Sequence, residues 1–114
     1  MHELGVVFTT MDMLEDLGRE NELSQITRVT MRLGEVSGIL RDYFVDCWQW
    51  AQKRSDLLRS SSLELEIVPA VTFCTACERT YPTVKHGITC PHCGSDQTYL
   101  LAGNEIEIKE IEGC

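Results

Sequence analysis

The sequence predicts an α+β protein: a small three-stranded sheet with two helices, plus an inserted four-cysteine zinc-ribbon domain. Three observations point there. Two stretches carry apolar residues at helical spacing, three stretches alternate apolar and polar residues, and four of the six cysteines fall inside residues 74–93.

Leu4, Val7, Phe8, Met11 and Leu14 recur at steps of three and four, which predicts an amphipathic helix over about residues 4–17. Gly18 and the polar run Arg19-Glu20-Asn21-Glu22 are expected to end it. Val29, Met31 and Leu33 alternate with Arg28, Thr30 and Arg32, the pattern of a half-buried strand. After the loop Gly34-Glu35-Val36-Ser37-Gly38, residues Leu40, Phe44, Cys47, Trp48 and Ala51 return to helical spacing. They predict a second helix over roughly 41–54. Ser60-Ser61-Ser62 is a polar break. Leu63, Leu65 and Ile67 then alternate with Glu64 and Glu66 in a strand stopped near Pro69.

Residues 70–102 have another texture, rich in Cys, Thr, Gly and Pro and poor in helical periodicity. Beyond Gly103-Asn104, Ile106 and Ile108 alternate with Glu105, Glu107 and Lys109, a pattern that matches the strand at 63–68. The last strand is therefore expected to return to the first sheet. That makes residues 1–69 with 103–114 one domain and 70–102 an insertion.

Ten Lys and Arg against eighteen Asp and Glu give a net charge of −8, which disfavours phosphate backbones and anionic membranes as partners. The first fifteen residues hold no Lys or Arg and no uninterrupted apolar stretch, so no secretory leader is expected. Nothing approaches the ~20 apolar residues that cross a bilayer. CxxC pairs in a reducing compartment are more often metal ligands than disulfides, and the expected location is cytoplasmic.

Cys74-Thr75-Ala76-Cys77 and Cys90-Pro91-His92-Cys93 are two CxxC pairs separated by twelve residues. Each tight turn can aim two thiolates at one ion, and two turns complete the tetrahedral sulfur shell that Zn(II) favours. Gly94 suits a knuckle turn because it adopts positive φ freely. Four thiolates leave no open position for water, so this zinc is expected to be structural. Four thiols together by coincidence, two disulfides or an iron–sulfur centre are the competing readings. Between residues 70 and 100 the charges are Glu78, Arg79, Lys85 and Asp96, which cancel. Phe73, Tyr81 and Tyr99 lack the surrounding cations of a nucleic-acid surface, so the ribbon reads as structural or protein-facing.

The chain opens Met1-His2-Glu3-Leu4. A free terminal amine, the backbone nitrogen of residue 2 and its imidazole can close fused chelate rings around one ion. Deprotonated amide nitrogen favours a square-planar metal, Ni(II) or Cu(II) over Zn(II), with the Glu3 amide as a fourth corner. The initiator Met is expected to stay before so bulky a residue as His. An exposed histidine at a frayed terminus is the other reading of the same residues.

Met1-His2-Glu3-Leu4, Leu33-Gly34-Glu35-Val36-Ser37-Gly38, Cys90-Pro91-His92-Cys93-Gly94-Ser95 and Gly103-Asn104-Glu105-Ile106 occur in one order along the chain. Together they resemble the HypA/HybF family, nickel metallochaperones of [NiFe]-hydrogenase maturation, over essentially the whole length. The resemblance implies a nickel-binding α/β domain with a three-stranded sheet and two helices, plus a zinc domain. It implies that His2 is the indispensable nickel ligand, helped by backbone nitrogen, and that Glu3 positions the imidazole or contacts a partner. Some members carry a carboxylate, proposed as an extra nickel ligand, where Leu40 stands here. Only Asp42 or Glu35 could substitute. The implied partners are the accessory GTPase of hydrogenase maturation, the hydrogenase large-subunit precursor and, in organisms with urease, its assembly proteins.

Cys47, Phe44 and Trp48 share the apolar stripe of the second helix and read as core, and Cys114 as an exposed free thiol. His86 lies beside the second pair of the zinc motif and His92 within it. Both are expected to be exposed, the alternative being exchange onto zinc at low pH. The reading is a non-enzymatic carrier, monomer or homodimer, with Ni(II) as transient cargo and Zn(II) fixed. A zinc-ribbon interaction adaptor without nickel binding is the competing class.

Overall fold

A computed structural model describes residues 3–114. Along the chain run α1 (Glu3–Glu20), β1 (Ile26–Gly34), α2 (Arg41–Gln52) and β2 (Ser62–Val68). There follow β3 (Val71–Cys74), β4 (Arg79–Pro82), the single turn α3 (Thr83–His86), β5 (Thr98–Ala102) and β6 (Ile106–Gly113). One three-stranded sheet has the order β2-β1-β6 and a second has β4-β3-β5. The last strand thus pairs with the first, as its alternation predicts, and two of the helices are long.

By contacts the chain divides into two units. The first runs to Met31 and takes in Ile39–Glu66 and Glu107–Cys114; the second holds Arg32–Gly38 and Ile67–Ile106. In the first unit α1 packs on α2. Val7, Leu14, Ile26, Val29, Met31, Phe44, Trp48 and Leu58 are its large, fully buried side chains, with the Phe44 and Trp48 rings 6.1 Å apart. Leu58 lies in the turns after α2. Gln52 Nε2 fixes that segment by donating to the carbonyls of Leu58, Arg59 and Ser61 at 3.0–3.3 Å.

Four expectations about elements are corrected. Gly18 does not stop α1, which continues to Glu20. Its missing side chain makes room for Leu57, since a Cβ there would sit 2.7 Å from Leu57 Cδ2. Leu4 and Phe8 are exposed instead of core. The buried stripe of α1 is Val7, Met11 and Leu14 with Thr10 and Gly18, and Phe8 turns toward Trp50 of α2 at 6.0 Å between ring centroids. Leu40 is 68 % exposed at the N-cap of α2, whereas Phe44, Cys47, Trp48 and Ala51 are buried as their spacing predicts. In β1, Thr30 is buried along with Val29 and Met31, because the strand is flanked on both sides. Nearby on β1, Arg28 reaches Glu64 of β2 (3.3 Å) and Glu112 of β6 (3.3 Å).

In the second unit β3 pairs antiparallel with β4 (Phe73 opposite Thr80) and with β5 (Phe73 opposite Tyr99). These strands are four or five residues long, too short to display a period. Gly34 lies where backbones cross: a Cβ there would overlap the Gly103 carbonyl group. Gly34 N–H donates to Glu105 O and Val36 N–H to Gly103 O, both at 2.7 Å. Among the described residues no helix is long and apolar enough to cross a membrane.

Candidate functional site

The four cysteines of the paired CxxC motifs come together in the second unit. Cys74 ends β3, and the turn after it is closed by Glu78 N–H on Cys74 O (2.8 Å). The second turn repeats this bond, Gly94 N–H on Cys90 O (2.8 Å). Each turn then needs a left-handed residue directly after its second cysteine. Gly94 (φ 76°) supplies it as expected, but in the first turn Glu78 (φ 60°) takes that conformation with a side chain present. Cys90 N–H to Ser95 O and Thr75 N–H to Gln97 O, both 2.9 Å, tie the turns to the segment that leads into β5.

All four Sγ atoms lie within 4.8 Å of one another; Cys74–Cys93 and Cys77–Cys90 are each 3.6 Å apart. A disulfide requires ~2.05 Å, and all the cysteines are free thiols. A tetrahedral Zn(II) with bonds of ~2.3 Å has sulfur–sulfur edges of about 3.8 Å, so the spacing fits the ion. Cys74 and Cys90 are buried and Cys93 is exposed. Tyr81, buried beside them, anchors the α3 loop by donating from its hydroxyl to Gly87 O (2.9 Å).

The electrostatics of the metal-free thiols point the same way. Burial and the neighbouring Cys90 sulfur push Cys77 up to about 12. Burial also opposes the Cys90 thiolate, but the backbone N–H groups of Cys93 and His92 together with the Cys77 and Cys93 sulfurs outweigh it and hold Cys90 down at about 6. Cys93 is raised: Ser95 N–H favours its thiolate, while loss of water on the side facing the cluster and the Cys74 sulfur oppose it. Four thiolates cannot share this space without a cation between them, and a divalent soft-acceptor metal removes the conflict.

His86 and His92 do not join the cluster. His86 is half-buried, not exposed as expected, with its ring edge-on to Tyr81 at 5.9 Å. His92 is exposed and places Nε2 3.3 Å from Thr80 O.

The other predicted site begins at residues that lie outside the described ones, Met1 and His2. Glu3 is described. It opens α1, is only 4 % exposed, and its Oε2 accepts the backbone N–H of Leu40 at 2.8 Å. That bond satisfies a donor at the start of α2, where Leu40 has no capping side chain of its own. Sequence reasoning missed it, because nothing in a pattern links positions 37 residues apart. Of the two substitute carboxylates, Asp42 is fully exposed 3.8 Å from Arg41. Glu35 is engaged elsewhere, accepting Ala70 N–H at 2.9 Å.

A family model described as hydrogenase/urease nickel incorporation, metallochaperone, hypA matches residues 1–113. The chain belongs to the HypA family. Among curated relatives, the hydrogenase maturation factor HypA of Albidiferax ferrireducens is 30 % identical over 98 % of both chains. The hydrogenase maturation factor HybF of Klebsiella pneumoniae is 25 % identical over 99 % of both. The solution structure of the nickel metallochaperone HypA from Helicobacter pylori shares the fold, with a TM-score of 0.76 and 24 % identity. It covers 99 % of this chain and 97 % of that one. Membership in HypA gives the role, nickel metallochaperone in hydrogenase maturation, and the four-cysteine cluster is the metal site that accompanies it. As a maturation factor the chain works with maturation machinery.

Proposed function

We propose that one Ni(II) per chain is bound by the Met1 amine, the backbone nitrogen and imidazole of His2, and the Glu3 amide. Zinc is held apart from it by Cys74, Cys77, Cys90 and Cys93. Residues 1–69 with 103–114 form the nickel-binding domain and 70–102 the zinc ribbon. The closed sulfur shell gives zinc a structural part and leaves it no open position for catalysis, so the protein carries metal without turning over a substrate.

The observation that supports this reading is the fixation of Glu3 by Leu40 N–H. It anchors the residue next to His2, so that only the two residues before it need to wrap the ion. The cargo leaves when the amide nitrogens regain their protons. Delivery is to the hydrogenase large-subunit precursor with the accessory GTPase of that pathway, in the cytoplasm, and urease assembly proteins are the second destination. The acidic charge of −8 argues against nucleic acid and membrane surfaces as partners.

The test is a nickel titration of untagged, zinc-loaded protein and its histidine variants. His2→Ala should abolish the one-to-one diamagnetic Ni(II) species, whereas His86→Ala and His92→Ala should keep it. Retention of the species in His2→Ala, or its loss only with the ribbon histidines, would refute the terminal site.

A further inference from the structure

The four clustered cysteines do not meet solvent equally. Cys93 is exposed, whereas Cys77 is half-buried and Cys74 and Cys90 are buried. A thiolate reacts with an oxidant only where the oxidant can reach its sulfur, so the cluster has one open flank. The second turn makes that flank. Pro91, His92, Cys93 and Gly94 are all exposed, and a Cβ at Gly94 would meet nothing within 4 Å. Cys90, the other cysteine of this turn, is protected by burial, and its sulfur accepts the His92 N–H at 3.4 Å. That bond draws charge off the sulfur and lowers its nucleophilicity.

The contacts inside the cluster set which thiols can be joined. Cys93 touches Cys74 at 3.6 Å between sulfurs, and Cys77 touches Cys90 at the same distance. Both contacts cross from one turn to the other; neither closes within a CxxC pair. A bound metal keeps all four as thiolates, so no base is needed to activate them.

We propose that the four-cysteine site is a peroxide switch, with Cys93 as the reacting thiolate and Cys74 as the thiolate that resolves it. The Cys93 sulfur attacks one oxygen of hydrogen peroxide; the O–O bond breaks, hydroxide leaves and Cys93 becomes a sulfenic acid. The Cys74 thiolate then attacks the Cys93 sulfur, the S–O bond breaks and a second hydroxide leaves as the disulfide forms. Two protons from solvent turn both hydroxides into water. The two sulfurs together lose the two electrons that the peroxide gains.

One thiolate then remains in each turn, too few to hold Zn(II). The apolar cluster behind them is small, Cys74, Tyr81 and Cys90 with Cys77 against it. A single disulfide replaces only a part of what the ion supplies to such a segment. Residues 70–102 therefore lose their order, while the first unit keeps a core of its own. A dithiol reductant together with zinc reverses the change. The inference rests on the zinc site proposed above.

The experiment uses the full chain with Cys114→Ser, which removes the exposed thiol outside the cluster. Metal analysis comes first: a chain without zinc would overturn the zinc site and this inference together. Hydrogen peroxide is then added, zinc release is followed with a coloured chelator, and disulfides are mapped by mass spectrometry after alkylation. One zinc should leave per peroxide consumed, with Cys74–Cys93 as the first disulfide, and a dithiol with added zinc should restore the metal. Amide protection should fall over residues 70–102 and hold at Val29 and Met31. Cys93→His and Cys77→His each retain four ligands, since His replaces Cys at structural zinc sites. Release from Cys93→His should be about tenfold slower than from Cys77→His. A first disulfide within either CxxC pair, or between Cys77 and Cys90, would overturn the inference. So would equal rates in the two histidine variants, or release no faster with peroxide than without it. Disulfide mapping decides the matter even where a histidine variant fails to hold zinc.

Discussion

The Glu3 carboxylate accepts the backbone N–H of Leu40 at 2.8 Å, joining the first residue of α1 to the start of α2. The carboxyl is buried, so this bond to a main-chain donor is shielded from competing water. It restrains both helix starts at once.

Replacing Glu3 by Ala should therefore act twice. Loss of the acceptor leaves the Leu40 donor without it and should lower stability by about 1–3 kcal/mol in urea denaturation. It should also weaken nickel by ~10–100-fold, as loss of an orienting neighbour does at metal sites. Glu3→Gln keeps an acceptor oxygen and should recover most of both. Equal damage from Ala and Gln would mean that the charge, not the hydrogen bond, is what matters.

Two glycines should respond differently to the same added methyl group. At Gly34 a Cβ meets backbone, the Gly103 carbonyl and, at 2.5 Å, Asn104 N, so Gly34→Ala should cost about 2–4 kcal/mol. At Gly18 the obstacle is the tip of the Leu57 side chain, which can turn away. The gain in helix propensity of ~1 kcal/mol offsets the shift, so Gly18→Ala should stay within about 1 kcal/mol of the parent. Thermal or urea unfolding of the two variants decides it.

The strands of the first sheet, the core stripe of α2 and the four clustered cysteines were legible from spacing alone, because each rests on a repeating local pattern. The failures have local causes too. Alternation cannot show that β1 is central, so Thr30 was expected to face water. Gly18 reads as a stop signal, yet its role is to admit Leu57, a partner distant in sequence. Glu78 carries a left-handed turn that no residue preference announces. The short strands β3, β4 and β5 were invisible as strands, and the metal motif that dominates their sequence was the only readable signal there.

Cys90→Ser should lose zinc, falling from one ion per chain toward none, and residues 70–102 should lose protection in amide exchange while Val29 and Met31 keep theirs. Zinc supplies ~10–16 kcal/mol of apparent binding energy to such a site, far more than so small a core can. Cys114→Ser, at an exposed terminal thiol, should retain zinc and fold unchanged. Metal analysis that finds no zinc in the parent, or iron in its place, would contradict the assignment.

The terminal chelate is tested most directly by one added residue. A single Gly placed before Met1 turns the amine into an amide and moves His2 out of second position, while every side chain stays the same. Untagged protein should bind one Ni(II) as a diamagnetic species with a visible d–d band, the Gly-extended protein should lack it, and a C-terminal Gly should change nothing. An unchanged spectrum and affinity in the Gly-extended protein would show that nickel is bound elsewhere.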